Sequence, residues 1–222
     1  MIVSKYSYPN LKRLQTPAGR QYLGEDNTPV PSVTTILSET GDKTALMEWR
    51  KRVGDAEATR ISTESAGLGT KVHSALEKYI KGEEWNNFGT NHVSQLAKSM
   101  ATVMIENCFS SIDQVYGVEV GLIAEGLYAG TSDAIGVVDG EESIIDFKTA
   151  KKLKKREWIE DYFLQGCAYA IAHNDMFESN IRQVVILMVD RENNYARYII
   201  KDDEFDKYCT LWFERLDAYF KK

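Results

Sequence analysis

Proline stops early in this chain. Its four prolines are Pro9, Pro17, Pro29 and Pro31. Proline breaks helices and central strands. The first 31 residues are therefore expected to be irregular, and everything after Pro31 is free to be regular. Cysteine is equally scarce. Cys108, Cys167 and Cys209 lie far apart, form no C-x-x-C pair and are odd in number. A disulfide framework and a four-thiolate metal site are excluded, and each thiol reads as a small apolar residue in a reducing compartment. No apolar run approaches the roughly 18 residues that cross a bilayer, so no membrane partner is expected. The opening, Met1 to Asn10, lacks both the apolar segment of a secretory signal and the Arg- and Ser-rich pattern of a transit peptide. The expectation is a cytoplasmic protein.

The residues that are present allow more. A hydrophobic fraction of 43% over 222 residues is enough for one domain with a sizeable core. The net charge of −6 argues against a general nucleic-acid binder, which is usually basic. The run Lys148 to Arg156, K-T-A-K-K-L-K-K-R, departs from that average. Alone it reads as a solvated loop, although an acidic protein can hold a polyanion in one basic groove.

Apolar spacing divides the chain. Ser32 is placed to cap a short helix carrying Val33, Ile36 and Leu37. Helices are expected over Thr44 to Val53, residues 66–81 and Val93 to Ile112. β-Branched and apolar residues separated by glycine then predict strands over Val115 to Glu125, Gly126 to Val138 and Ser143 to Lys148. Glu157 to His173 returns to helical spacing. Gln183 to Asp190 and Tyr195 to Ile200 read as strands around an Asn193-Asn194 turn. Asp202 to Phe220 closes as an amphipathic helix capped by Asp202 or Asp203. The predicted fold is α/β, a mixed sheet flanked by helices. It forms a single domain over 1–222: a mainly helical part (1–112), a core (113–200) and a C-terminal helix (201–222).

The middle hairpin carries the chemistry. Asp139-Gly140 is a strong two-residue turn signal. With that turn Val138 pairs with Glu141, and Asp133 falls opposite Asp146. With a four-residue loop, Asp133 opposes Lys148 instead. Either even loop keeps Asp133, Asp146 and Lys148 on one face. Two close carboxylates repel unless a cation lies between them, and Mg²⁺ typically takes one or two carboxylates plus water and phosphate oxygens. A neighbouring lysine can steady charge developing on phosphorus. Asp-x-Lys alone is common by chance and reads equally as a salt bridge at a strand end.

More residues join these. Gly130-Thr131-Ser132-Asp133 followed by Ile144-Ile145-Asp146-Phe147-Lys148-Thr149 resembles the core motif of the PD-(D/E)XK nucleases, closest to their RecB-type branch. Gly69-Thr70-Lys71-Val72-His73 and Gln165-Gly166-Cys167-Ala168-Tyr169 resemble two further motifs of that branch. Together they span about residues 67–170. Pro31 to Leu37, with Trp49 downstream, further resembles the single-strand-specific mitochondrial genome maintenance exonuclease family and its phage and bacterial relatives. A phage or bacterial setting suits this chain better than an organelle.

The resemblance implies a restriction-endonuclease-like core and a Mg²⁺- or Mn²⁺-dependent deoxyribonuclease, an exonuclease acting on DNA, single-stranded at its ends. It implies catalytic roles for Asp133, Asp146, Lys148, Gln165 and Tyr169. The metal set would be His73, Asp133, Asp146 and the Phe147 carbonyl, with Glu119 a further candidate. Glu77 shares the helix face of His73, as an outer neighbour of the site or a solvated residue. Ser32, Thr34, Thr35, Thr149, Lys151 and Lys152, within a basic cluster reaching Lys155, are candidate phosphate contacts. Trp49 or Tyr169 would stack a base. Three scattered cysteines cannot supply the four-cysteine iron–sulfur cluster of some relatives, so none is expected. Two other readings stay open: a catalytically silent nucleic-acid-binding module of the same fold, and an endonuclease.

Overall fold

The computed structural model describes residues 2–24 and 27–222. A five-stranded mixed sheet forms its centre: β4 (Ile112–Ala124), β5 (Tyr128–Val138), β6 (Glu141–Ala150), β7 (Gln183–Asp190) and β8 (Tyr195–Ile200), neighbours in that order. The β6–β7 pair is parallel and the other three pairs are antiparallel. A parallel pair needs a long crossover. Helix α5 (Glu160–Phe177) supplies it.

Alternation along the strands makes two cores. Ile144, Val184, Ile186 and Met188 face α5 and α6 (Asp202–Phe220), with α1 (Val33–Thr40) completing that layer. Ile145, Phe147, Val185, Leu187 and Val189 face α3 (Asp55–Lys81) and α4 (His92–Cys108). Every residue of β7 is buried. Both faces of this strand are covered, so its sequence is nearly continuous in apolar residues. The α/β class with a helix-flanked mixed sheet, expected from the sequence, is the observed one.

Several local expectations are corrected. Residues 1–31 are not irregular throughout. Arg13–Thr16 (β1), Gly19–Leu23 (β2) and Pro29–Pro31 (β3) form an antiparallel three-stranded sheet. Pro9 precedes β1, Pro17 sits in the β1–β2 turn, and Pro29 and Pro31 are the two ends of β3, where a missing N–H costs least. The helix expected over residues 66–81 begins at Asp55, after Gly54 with φ 86°. That glycine separates it from α2 (Thr44–Val53). The next helix ends at Cys108, and Ile112 opens β4. Lys201 occupies the N-cap of α6 and makes no side-chain cap, whereas Asp202, Asp203 and Glu204 fill the first turn. There they oppose the helix dipole without closing the end. Among the described residues, no helix is long and apolar enough to cross a membrane.

Candidate metal and nucleic-acid site

The site begins at the β5–β6 turn. Asp139 and Gly140 have φ of 50° and 82°, the positive values that a type I′ hairpin demands. Val138 pairs with Glu141, and the register runs without slip to Ala134 opposite Ile145. Asp133 and Asp146 come next, but the ladder ends before them. At this point the Phe147 N–H donates to Asp133 Oδ2 at 2.7 Å. A side chain thus takes over the acceptor role that a partner strand would fill. The N–H and C=O of one strand residue point to the same edge, so the Phe147 carbonyl also faces this opening.

Asp146 and Lys148 project on the α5 side. The Lys148 ammonium donates to Asp146 Oδ1 at 2.7 Å and to Gln165 Oε1 at 3.2 Å. Gln165 Nε2 in turn donates to the Tyr169 hydroxyl at 3.2 Å. The Tyr162 ring lies beneath the ammonium, 4.8 Å to its centroid. Burial pushes the Asp146 carboxyl pKa up, partly offset by Lys148, while Asp133 adds to the rise. Burial would lower Lys148, but Asp146 and Asp133 outweigh it and hold the ammonium charged. Asp146 Oδ2 lies 2.5 Å from the same ammonium yet makes no hydrogen bond of acceptable geometry. Gly130 leaves room for this chain of contacts. A Cβ there would stand 2.6 Å from Tyr169 Cε1.

His73 enters from α3, on the opposite layer. Its Nδ1 is 3.4 Å from Asp133 Oδ1. Burial alone would lower the His73 pKa, but the hydrogen bond and charge of Asp133 raise it. Burial would raise the Asp133 carboxyl, but His73, Lys148 and the Phe147 N–H hold it down. Helix α3 passes close above β6, and a Cβ on Gly69 would meet Thr149 Oγ1 at 3.2 Å. Glu119 arrives from β4 with φ 51°. This is a left-handed backbone that non-glycine residues adopt rarely and at a cost. It breaks the alternation of β4. Val118 packs toward the α3–α4 core and Val120 toward the other, though only two residues apart. Desolvation, then the Asp133 charge, raises the Glu119 carboxyl pKa. Among the described residues, ligand atoms of His73, Glu119 and Asp133 lie within 4.8 Å of one another. Asp146 stands outside that group, engaged by Lys148. Glu77 also lines the cleft, and it is paired with Lys81 at 2.6 Å.

These side chains share one cleft of about 530 Å³. Ser32 and Thr34 line it, at the N-terminus of α1, where Ser32 accepts from the Thr35 N–H. Thr35 itself is turned inward and donates to the Arg20 carbonyl at 2.9 Å. Trp49 is half-buried on α2 and does not line the cleft. The basic run does not form one face. Lys148 is in the site, Lys151 and Lys152 are exposed, and Lys154 donates to the Tyr162 hydroxyl. Lys155 lies over Trp158, and Arg156 pairs with Glu204 at 2.7 Å. Sequence reasoning missed Arg13, Arg20 and Tyr22, which line the cleft from the small N-terminal sheet. Arg13 pairs with Tyr22 and Gln15 with Arg20, so these residues share a face. Among the described residues, neither arginine side chain has a carboxylate partner. The available signal was alternation in R-L-Q-T and G-R-Q-Y-L, too short to stand out beside the prolines.

The chain is similar in sequence to mitochondrial genome maintenance exonuclease 1 of Homo sapiens, 26% identical over 207 residues, and to the protein of that name from Mus musculus, 26% over 205 residues. Both matches cover 87% of this chain, and 59% and 60% of the relatives. The chain thus spans about 60% of the length of the curated relatives it matches. The expected likeness to nucleases of the exonuclease type is therefore found over most of the chain, beyond the motifs alone. Among solved structures, one named as an exonuclease from Eubacterium rectale is similar at a TM-score of 0.49 and 11% identity, covering 69% of this chain and 65% of that one. A protein named SSO0001 is similar at 0.39 and 16%, covering 78% and 69%. No model of a known protein family matches the chain.

Proposed function

We propose that the chain is a divalent-metal-dependent DNA nuclease that removes nucleotides from single-stranded ends. The observation that carries this reading is one cleft holding His73, Glu119, Asp133, Asp146 and a charged Lys148, rimmed by two arginines that have no carboxylate partner among the described residues. Names of the sequence relatives point the same way.

The residues fit a hard cation. His73, Glu119 and Asp133 offer one nitrogen and carboxylate oxygens within 4.8 Å. Asp146 adds a buried carboxylate whose Oδ2 contacts only the Lys148 ammonium, and the Phe147 carbonyl faces the same opening. Mg²⁺ and Mn²⁺ favour such oxygen-rich sets. A bound ion would supply Lewis acidity toward a phosphoryl oxygen and lower the pKa of a water. Lys148 then acts as an ammonium beside the reacting phosphate, where it offsets developing negative charge and orients water. Gln165 fixes its position, and Tyr169 fixes Gln165. Arg13, Arg20, Ser32 and Thr34 hold flanking phosphates. Those contacts position the strand without reading its sequence.

The test uses linear and closed-circular single-stranded DNA with Mg²⁺ or Mn²⁺, and a parallel reaction in EDTA. Loss of the linear form alone, abolished by EDTA, is expected. Cutting of circles would replace the reading by an endonuclease. DNA retained but never cut would replace it by a silent binding module.

A further inference from the structure

A second concavity adjoins the cleft on the far side of α3. Lys71, Lys78, Trp85 and Phe88 line it, in a space of about 280 Å³. Thr70 and Ser74 line both spaces. The two spaces therefore adjoin at Thr70 and Ser74 on α3. Residues 71, 74 and 78 recur at helical spacing and form one stripe. His73 and Glu77 lie on the adjacent stripe that faces the carboxylates.

The chemistry of this arm differs from that of the cleft. Among the described residues, Lys71 and Lys78 are exposed and have no carboxylate partner. They add two uncommitted cations to an acidic protein. Trp85 and Phe88 are half-buried and packed against the α3–α4 core. The Trp85 ring meets Tyr79 edge to face, with centroids 6.0 Å apart at 89°. Gln95 Nε2 donates to the Gly89 carbonyl at 2.8 Å and ties down the end of the loop. The aromatics are anchored on one side and open on the other.

Lysines interleaved with fixed aromatic rings match a strand whose phosphates and base faces are both accessible. We infer that Lys71, Lys78, Trp85 and Phe88 form a base-stacking arm that holds single-stranded DNA as it enters or leaves the cleft. The lysines bind phosphates and the rings stack bases. Paired bases hide their faces in the duplex, so the arm favours single strands and tolerates any sequence. The inference rests on the proposed reading that the cleft takes DNA.

The test is binding of fluorescent oligo(dT) in EDTA, which separates binding from cleavage. The Lys71→Ala/Lys78→Ala double variant should lower the slope of log K against log salt by about 1.4, since each single-strand phosphate contact contributes roughly 0.7. Phe88→Ala should weaken binding at least about fivefold, the lower end of the range for losing one base stack. Trp85→Phe should keep most of the affinity but lose the quenching of tryptophan emission by DNA. Wild-type affinity and slope in both the lysine and Phe88 variants would overturn the arm. If Phe88→Ala does not fold, the exposed lysines decide alone. A wild-type protein that neither binds nor cuts oligonucleotides would sink this inference and the proposed function together. One that cuts, while the variants bind as it does, would sink the arm only.

Discussion

The Phe147 backbone N–H donates to the Asp133 carboxylate at 2.7 Å, at the point where β5 and β6 stop pairing. One side chain therefore closes the sheet and also offers its second oxygen to the cleft. These duties separate under substitution. Asp133→Asn keeps an acceptor for Phe147 and should melt near the wild-type temperature while losing nearly all cleavage. Asp133→Ala leaves a buried donor unpaired and should cost about 1–3 kcal/mol of stability as well. Thermal melts beside a cleavage assay distinguish the two. Cleavage by Asp133→Asn at the wild-type rate would remove Asp133 from the chemistry.

Gly130 and Tyr169 are coupled through space. An added methyl at residue 130 would stand 2.6 Å from the tyrosine ring. Gly130→Ala should cost about 1–3 kcal/mol, as overpacking does. It should also displace the ring from Gln165 and slow cleavage. In the background of Tyr169→Ala the same change should cost far less. Additive costs in a double-mutant cycle of melts would disprove the coupling.

Arg13 and Arg20 bring positive charge to an acidic cleft from outside the main sheet. Each single alanine variant should raise KM and lower the salt slope of single-strand binding by about 0.7. Stability should stay nearly unchanged, because among the described residues neither side chain has a carboxylate to lose. Salt titrations followed by anisotropy give the slope directly. A slope equal to wild type means that the arginine touches no phosphate.

His173 predicts a pH effect on folding away from the cleft. It is fully buried on α5, with Nδ1 2.7 Å from Ser179 Oγ and Nε2 3.2 Å from the Tyr8 hydroxyl. Burial pushes its pKa from 6.5 down to about 4, against the raising effect of Glu142. Between these values the unfolded chain binds a proton that the folded chain does not. Stability should therefore fall as pH drops from about 6.5 to about 4, by at most about 3 kcal/mol. His173→Asn should be less stable at neutral pH and lack that part of the slope. Urea melts across this range provide the comparison. An unaltered slope in the variant would assign the pH dependence elsewhere.

The central strands were legible because their information is local. Asp139-Gly140 dictates its own turn, and a period of two then carries Asp133 to the level of Asp146 and sets Lys148 on the same face. The register agrees as far as the ladder runs. Ser32 was equally readable as a helix cap, since that bond spans three residues. The small N-terminal sheet was not. Its strands are three to five residues long, too short for periodicity to outweigh proline. The arrangement of the basic run was not legible for another reason. Asp190 anchors Leu153 at 3.2 Å, and Lys154, Arg156 and Lys152 then find separate partners on α5, α6 and the β7–β8 turn.

The sequence by itself determined the mixed α/β class, the hairpin, and a carboxylate pair with its lysine, because these depend on turn chemistry and alternation between near neighbours. Only the tertiary structure decided that His73 from helix α3 and Glu119 from the neighbouring strand β4 close on Asp133. It alone brought Arg13 and Arg20 to the rim, took Trp49 away from the cleft, and set Trp85 and Phe88 around an adjoining concavity. Such contacts join residues far apart in the chain. They are set by how two cores pack against one sheet, which no local pattern encodes.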